Sequence, residues 1–438
     1  MSSIDWRIPP SMHEHLAELP SDRPVAMLIR HSVRDELPPG EAGNMLPITE
    51  VGERLARELG RLLGARLRSL HASPLLRTMQ TAAQLAEGAM LRGVATREDR
   101  LLGDPGAFVL DNVAAGAAWQ RLGHEAVMAH LVADNELPGM AAPDAAARFL
   151  VRHMLARADS APGIHAFVTH DSLITATAAR LLDVPLAKDD WPWYLEAAFF
   201  WDCGDGIEVR YRGRSTIRRG ALCSLDELDV LSFARREIAA TVGLDFPGRF
   251  FLSGGAFKSL LTGRPPRDLD LWAPTPSDRV ALVERLHQRG AEPLPRRAYS
   301  DAWAIAGRVV EVPDKAEPDS LEARQARYDI ALSAVGVEHR NGESWRALVH
   351  PLAQESMERR EVLLLKPLAN PKYALTTLER LRRYAAELDF RVSPEDEAVL
   401  WNVWVRATAD ERERLLDRFE RTAQHDQDVR EELACRLQ

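Results

Sequence analysis

Residues 25–34 read Val-Ala-Met-Leu-Ile-Arg-His-Ser-Val-Arg. The apolar run predicts a strand, and its end delivers one histidine, His31, between two guanidiniums, Arg30 and Arg34. A phosphomonoester carries nearly two negative charges, and arginine's planar donors match phosphate oxygens better than a lysine point charge does. Arg30 and Arg34 are therefore expected to clamp a phosphoryl group and His31 to attack it. A neutral imidazole is a competent nucleophile near neutral pH, and a covalent phosphohistidine divides one difficult displacement into two easier ones.

Two further segments add to this cluster. Residues 71–82, His-Ala-Ser-Pro-Leu-Leu-Arg-Thr-Met-Gln-Thr-Ala, read as a strand ending at Ser73-Pro74 followed by a helix that carries Arg77 in its first turns. Helix N-termini favour phosphate. Residues 166–171, Ala-Phe-Val-Thr-His-Asp, read as an apolar strand closing on His170 and Asp171. Open α/β sheets place their ligands at strand C-termini, so these distant pieces are expected to converge.

In this order, RHSVR (30–34), ITEVGERLARELG (48–60), SPLLRTMQTA (73–82) and VTHD (168–171) resemble the histidine phosphatase superfamily over about the first half of the chain. The resemblance implies that His31 is phosphorylated, that Arg30, Arg34 and Arg77 bind the phosphoryl oxygens, and that His170 stabilises the transferring group without a metal. The family's usual glycine after the first histidine is Ser32 here. Arg34 and the His170-Asp171 pair lean towards its acid-phosphatase-like members. The leaving oxygen needs a proton from a carboxyl kept or made acidic nearby. Asp171 is the first choice, and Asp104, within Leu-Gly-Asp-Pro-Gly at 102–106, is the second. His71 and His165 read as structural.

The second half calls for other chemistry. Residues 249–260 form an apolar strand that breaks at Ser253-Gly254-Gly255 before a helix carrying Lys258. Paired glycines permit close backbone approach to phosphates. In Arg267-Asp268-Leu269-Asp270-Leu271-Trp272, strand alternation projects Asp268 and Asp270 to one side. Their repulsion is relieved by a divalent cation, and Mg²⁺ carrying substrate phosphates suits such hard oxygen ligands. A third carboxylate, Asp329, stands near the start of another expected strand at 327–335, with Asp314, Glu317 and Asp319 just upstream in an expected loop.

This set resembles the polymerase-beta-type nucleotidyltransferase superfamily. The resemblance implies that Ser253, Gly254, Gly255 and Lys258 bind a nucleoside triphosphate, and that Asp268, Asp270 and Asp329 hold Mg²⁺. An acceptor oxygen would then attack the α-phosphorus and release pyrophosphate.

Length agrees with this division, because 438 residues exceed what one hydrophobic core normally serves. The expected fold is a phosphoglycerate-mutase-like three-layer α/β/α phosphatase domain at 1–217, a small mixed α/β nucleotidyltransferase-like head at 218–350, and a helical region at 351–438. The boundary is set by a strand or hairpin ending near Arg212 and by Ser224-Leu225-Asp226-Glu227, a capping signal for a helix running towards Gly243. Beyond Asp329 the period is mostly helical: Tyr373, Leu375, Leu378, Leu381, Tyr384 and Leu388 recur at three- and four-residue steps, and Ser393-Pro394-Glu395 caps another helix. Arg380 and Arg383 lie between these apolar positions, either as a solvated face or as phosphate contacts. Aromatics concentrate at Trp191, Trp193, Tyr194, Phe199, Phe200 and Trp201, for core packing or for a pocket.

Three dispersed cysteines, Cys203, Cys223 and Cys435, argue against a disulfide framework or a thiol-rich zinc site. The net charge of -9 gives no bulk attraction to nucleic acid, although local arginine patches are compatible with it. Without an apolar span of membrane length, a soluble cytoplasmic enzyme is expected, with no membrane partner. The expected function is phosphomonoester hydrolysis joined to Mg²⁺-dependent nucleotidyl transfer onto an RNA end or a small-molecule acceptor. The alternative is a phosphatase whose second half is a non-catalytic binding module. Mg²⁺ is expected at the transferase site alone, and no cofactor at the phosphatase site.

Overall fold

The computed structural model describes residues 6–36, 43–91, 93–158, 161–219, 222, 225–297, 299–316, 318–340, 344–422, 431 and 434–435. Glu317, Cys223 and Ser224, singled out above, lie outside the described residues. The chain divides into two compact units, Met1–Cys223 with Thr262–Arg264, and Ser224–Leu261 with Pro265–Gln438.

The first unit follows the order α1 (Pro10–Glu18), β1 (Pro24–Arg30), α2 (Glu50–Leu63), β2 (Leu67–Ala72), α3 (Leu76–Gly88), β3 (Arg97–Glu98), α4 (Asn112–Leu122), α5 (His124–Val132), α6 (Pro143–Arg157), β4 (Gly163–Thr169), α7 (Asp171–Leu182), β5 (Ala197–Asp202), β6 (Gly206–Tyr211) and β7 (Arg214–Arg219). Its sheet runs β3-β2-β4-β1-β5-β6-β7. The pairings from β3 to β1 are parallel and those from β1 to β7 antiparallel. Strand alternation sorts the apolar residues of β1 into two cores. Val25, Met27 and Ile29 pack with Leu55 and Leu59 of α2 and Leu85 of α3, whereas Ala26 and Leu28 pack with Leu150 of α6 and Ile174 of α7. Helices thus cover both faces, which is why β1 and β4 are apolar throughout rather than alternating.

The parallel strands β1, β2 and β4 lie side by side, so their C-terminal ends gather Arg30-His31, Ser73-Pro74 and His170-Asp171 at one edge. This is the convergence expected from three separate sequence segments.

The second unit contains α8 (Glu227–Ala240), β8 (Arg249–Ser253), a short α9 (Ser259–Thr262), β9 (Leu269–Trp272), α10 (Pro276–Gln288), β10 (Glu292–Pro293), β11 (Ser300–Ile305), β12 (Arg308–Pro313), α11 (Leu321–Gln325), β13 (Val335–Arg340), β14 (Ser344–Val349), α12 (Pro351–Arg359), β15 (Glu361–Val362), α13 (Ala374–Leu388), β16 (Arg391–Val392), α14 (Pro394–Arg406) and α15 (Ala409–Thr422). Its main sheet runs β10-β11-β12-β9-β8-β13-β14. Asp226 caps α8 by accepting from the amide of Asp229. Ser393 caps α14 by accepting from Asp396. In α13 the buried side includes Leu375, Leu378, Leu381, Tyr384 and Leu388, the residues whose spacing predicts the helix.

One expected strand is displaced. Asp329 does not begin it; β13 starts at Val335. The segment at 329–331 instead bridges to Leu363–Leu365, with the Ala331 amide donating to Leu363 O and the Leu365 amide to Asp329 O. Its apolar residues satisfy that local contact before the chain enters the sheet.

Candidate active sites

In the first unit the His31 amide donates to Thr169 O, fixing the end of β1 against β4. Ser32 is fully buried and ties this turn to two helices. Its amide donates to Thr81 Oγ1 at 2.9 Å and its hydroxyl to Gly52 O at 2.7 Å. A glycine at position 32 would lack the second bond, so the departure from the usual family residue has a structural use. His31 Nδ1 lies 2.8 Å from Ser32 O. A carbonyl only accepts, so Nδ1 carries the proton of the neutral ring and Nε2 keeps its lone pair. Burial, then the charges of His170 and Arg30, pushes the His31 pKa well below its ordinary value. The ring is therefore neutral and nucleophilic at pH 7.

The His170 ring centroid stands 5.4 Å from that of His31. Burial and Arg77 lower its pKa to about 3. Arg30 bonds Pro192 O at 2.7 Å, pairs with Asp171 Oδ2 at 2.9 Å and lies over the Tyr194 ring. Arg34 and Arg77 each donate one bond to a backbone carbonyl, of Asp35 and Gly43. The Nε atoms of Arg30, Arg34 and Arg77, and Nε2 of His170, are buried without a hydrogen-bond partner. Buried donors left in this state are costly, and a phosphoryl group would satisfy them together. Mutual repulsion shows how tightly they sit, since burial and then Arg34 lower the pKa of Arg77.

The two candidate acids differ. Burial alone would raise the carboxyl of Asp171, but Arg30, His124 and His170 hold it below the ordinary range. Burial raises Asp104 to about 6, with only partial opposition from Arg77. Asp104, exposed as a residue but with a desolvated carboxyl, is thus the more readily protonated of the two, and Asp171 is an anion committed to Arg30. Next to them is a cleft of about 510 Å³ whose lining includes Trp6, Arg7, Val33, Trp193, Tyr194 and Arg212. Tyr194 bridges the two spaces, 5.6 Å from the His31 ring and 5.7 Å from Trp6.

In the second unit Gly254 has φ of 127°, a conformation that disfavours side chains. A Cβ there would also come within 3.1 Å of Asp270 Oδ2 and 3.3 Å of Tyr328 Oη. The bare turn therefore sits directly on the carboxylate. Burial, then the charges of Asp268 and Glu311, raises Asp270 to about 7. Glu311 is the residue of β12 in register with Asp270 of β9. It bonds Ser300 Oγ at 2.7 Å and pairs with Arg297. Sequence reading did not single it out; its position on a strand parallel to β9 was the missing information. Asp329 accepts from the Asn370 amide at 3.0 Å and from Thr377 Oγ1 at 3.4 Å. Asp314 is paired with Arg296.

Ser253 Oγ donates to Val335 O, and Lys258 pairs with Glu387 over the Tyr384 ring. Arg383 pairs with Glu379 and Glu387, whereas Arg380 acts on Asp270 through its charge. Among the described residues no group of three or more His, Cys, Asp or Glu side chains is arranged to hold a metal. Asp268 and Asp270 nevertheless fit a cation by charge, and the partly exposed Arg267 now lies on Asp268 at 2.8 Å.

Residues 27–194 match the family model of the histidine phosphatase superfamily, branch 1. The first unit carries a histidine phosphatase superfamily domain. The match is to branch 1, whereas Arg34 and the His170-Asp171 pair lean to acid-phosphatase-like members. No curated protein sequence matches the chain. Among solved structures, a tRNA-processing enzyme in an apo form is 18% identical over 44% of this chain and 52% of its own, with a TM-score of 0.33. A CCA-adding enzyme with ATP is 14% identical over 48% and 54%, TM-score 0.37. A structure titled Mycobacterial hydrolase 1 is 20% identical over 45% and 99%, TM-score 0.31. The chain spans about half the length of the first two of these enzymes. Apart from the histidine phosphatase domain, the chemistry of the second unit rests on its own residues. No helix among the described residues is long and apolar enough to cross a membrane.

Proposed function

We propose that the chain is a bifunctional enzyme: a phosphomonoesterase in the first unit and a nucleotidyltransferase in the second. The phosphatase reading is carried by neutral His31, with a free Nε2, set among buried guanidinium nitrogens that lack partners. Nε2 attacks phosphorus, the bond to the leaving oxygen breaks, and the Asp104 proton passes to that oxygen. Water then attacks the phosphohistidine, Asp104 takes a proton from it, and phosphate leaves as the bond to Nε2 breaks. Arg30, Arg34 and Arg77 hold the equatorial oxygens throughout. Asp171 keeps Arg30 in place.

In the second unit Asp268 and Asp270 would hold Mg²⁺, with Glu311 adding negative charge beside Asp270. When bound, the ion supplies charge neutralisation for the triphosphate. Gly254 and Gly255 offer backbone, and Arg380 and Lys258 offer cations, to the same phosphates. The acceptor is an RNA end or a small-molecule hydroxyl. Arg267 on Asp268 favours a second reading, in which this unit binds its ligand without turnover. The nucleophile is tested by brief incubation with a ³²P-labelled phosphomonoester. Wild type should yield an acid-labile, alkali-stable labelled protein and His31→Ala none; label retained in His31→Ala would refute the assignment.

A further inference from the structure

The face of β9 that carries Asp270 continues to Trp272, two residues on along the strand. Arg324, in the last turn of α11, lies over that indole with its guanidinium carbon 3.9 Å from the ring centroid. It also lies over the ring of Tyr328, four residues further, at 4.6 Å. The Tyr328 hydroxyl reaches the Gly254 turn, where it and Asp270 Oδ2 approach the same point. Turn, carboxylate, tyrosine, arginine and tryptophan are thus contiguous.

Arg324 is only 8% exposed. No carboxylate pairs with it among the described residues, and its Nε is buried without an acceptor. Trp272 Nε1 is a second buried donor in the same state. A guanidinium loses more by leaving water than two aromatic faces return, so a buried arginine is ordinarily paired. Asp268 is already engaged by Arg267. The missing partner is an anion that arrives from outside, and the flanking rings hold the guanidinium plane ready for it.

We propose that Arg324, with Trp272 Nε1 beside it, is an anion clasp for the polyphosphate of the nucleotide bound in the second unit. Planar, fixed donors fit phosphate oxygens, and the bare Gly254 turn lies next to them. The proposal rests on the reading of this unit as a nucleotide site, and adds the residues that grip the phosphates. The flanking Tyr328 and Trp272 act as positioning residues.

The test is calorimetric titration of the full chain with inorganic tripolyphosphate, ATP and adenosine, each with and without Mg²⁺. Arg324→Met keeps the aliphatic stem and should weaken tripolyphosphate and ATP binding at least tenfold while leaving adenosine unchanged. Arg324→Lys keeps the charge without the planar fork and should fall between. Trp272→Phe keeps the stacking and removes one donor, for a loss of about threefold. Unaltered phosphomonoesterase activity and thermal melting report that each variant is folded. Equal tripolyphosphate affinity in wild type and Arg324→Met would overturn the clasp, as would a loss confined to adenosine, or no tripolyphosphate binding by wild type. Failure of labelled-nucleotide transfer by a wild type that binds tripolyphosphate through Arg324 would instead overturn turnover and leave the clasp standing.

Discussion

At the scale of single residues, Asp104 and Asp171 illustrate how surroundings assign acid and anion. Asp171 is partly buried with Arg30 at 2.9 Å, whereas Asp104 is exposed and has no ion pair among the described residues. Sequence could place both near the phosphoryl site but could not rank them, because the ranking depends on which one the guanidinium of Arg30 reaches. The choice made from sequence puts Asp171 first, whereas the function proposed here gives the proton to Asp104, the carboxyl without that contact. Asp104 should donate its proton while protonated, so turnover of alkyl phosphates should fall as pH rises through about 6. Asp104→Asn should lower kcat for such substrates by roughly 10²–10⁴ and remove that pH limb. It should act far less on p-nitrophenyl phosphate, whose leaving group needs no proton. A pH series with both substrates checks this, and equal losses on the two would exclude the role. The same shift has a stability consequence. A carboxyl whose folded pKa exceeds its unfolded value of 3.8 opposes folding once ionised. The penalty grows between pH 4 and 6 and is complete above that, and solvent screening keeps it small because Asp104 is exposed. Asp104→Asn should therefore be more stable than wild type at pH 8 in urea titrations, and not at pH 4.

Among the elements, α2 is what holds the nucleophile turn. Its Thr49 cap accepts from Gly52, Gly52 O accepts from Ser32, and the Thr49 amide donates to Val33 O. A Cβ on Gly52 would run into the Val33 carbonyl oxygen, with backbone rather than a flexible side chain in the way. Gly52→Ala should displace the turn carrying His31, costing about 1–3 kcal/mol and at least tenfold in phosphatase kcat/KM. Urea titration and initial rates check it; a fully active, equally stable variant would show that α2 is free to shift. This part of the site was legible because strand ends and helix starts are local: the runs around RHSVR and SPLLR each predict their element from neighbours in sequence. Ser32 was visible only as a departure, since its partners Gly52 and Thr81 are 20 and 49 residues away. Glu311 and Arg324 were not legible at all. Each owes its place to another element, Glu311 to the parallel pairing of β12 with β9 and Arg324 to the stacking of α11 on Trp272. Asp329 does not begin its expected strand for the converse reason, because an apolar run that reads as strand can be consumed by a local bridge before the sheet begins.

For the molecule as a whole, the two units offer opposite electrostatics. The first gathers guanidiniums and neutral imidazoles, and in the second the charges of Asp268 and Glu311 act on the carboxyl of Asp270. Each site therefore needs a different partner to relieve its own repulsion, and the two activities should be separable by chemistry alone. Asp268→Asn removes one charge from the pair and lowers Asp270 towards its ordinary value. It should abolish Mg²⁺-dependent incorporation from labelled nucleoside triphosphates, with loss of at least 10³, and leave phosphomonoester hydrolysis within twofold of wild type. A chelator should reproduce that pattern, because nothing assigned to the phosphatase site is a metal ligand. Assaying both activities on one preparation, before and after chelation and with Mg²⁺ restored, decides the matter. Loss of both activities on chelation would mean that the guanidinium cluster does not act alone, whereas transfer surviving both chelation and Asp268→Asn would remove the carboxylate pair from the mechanism.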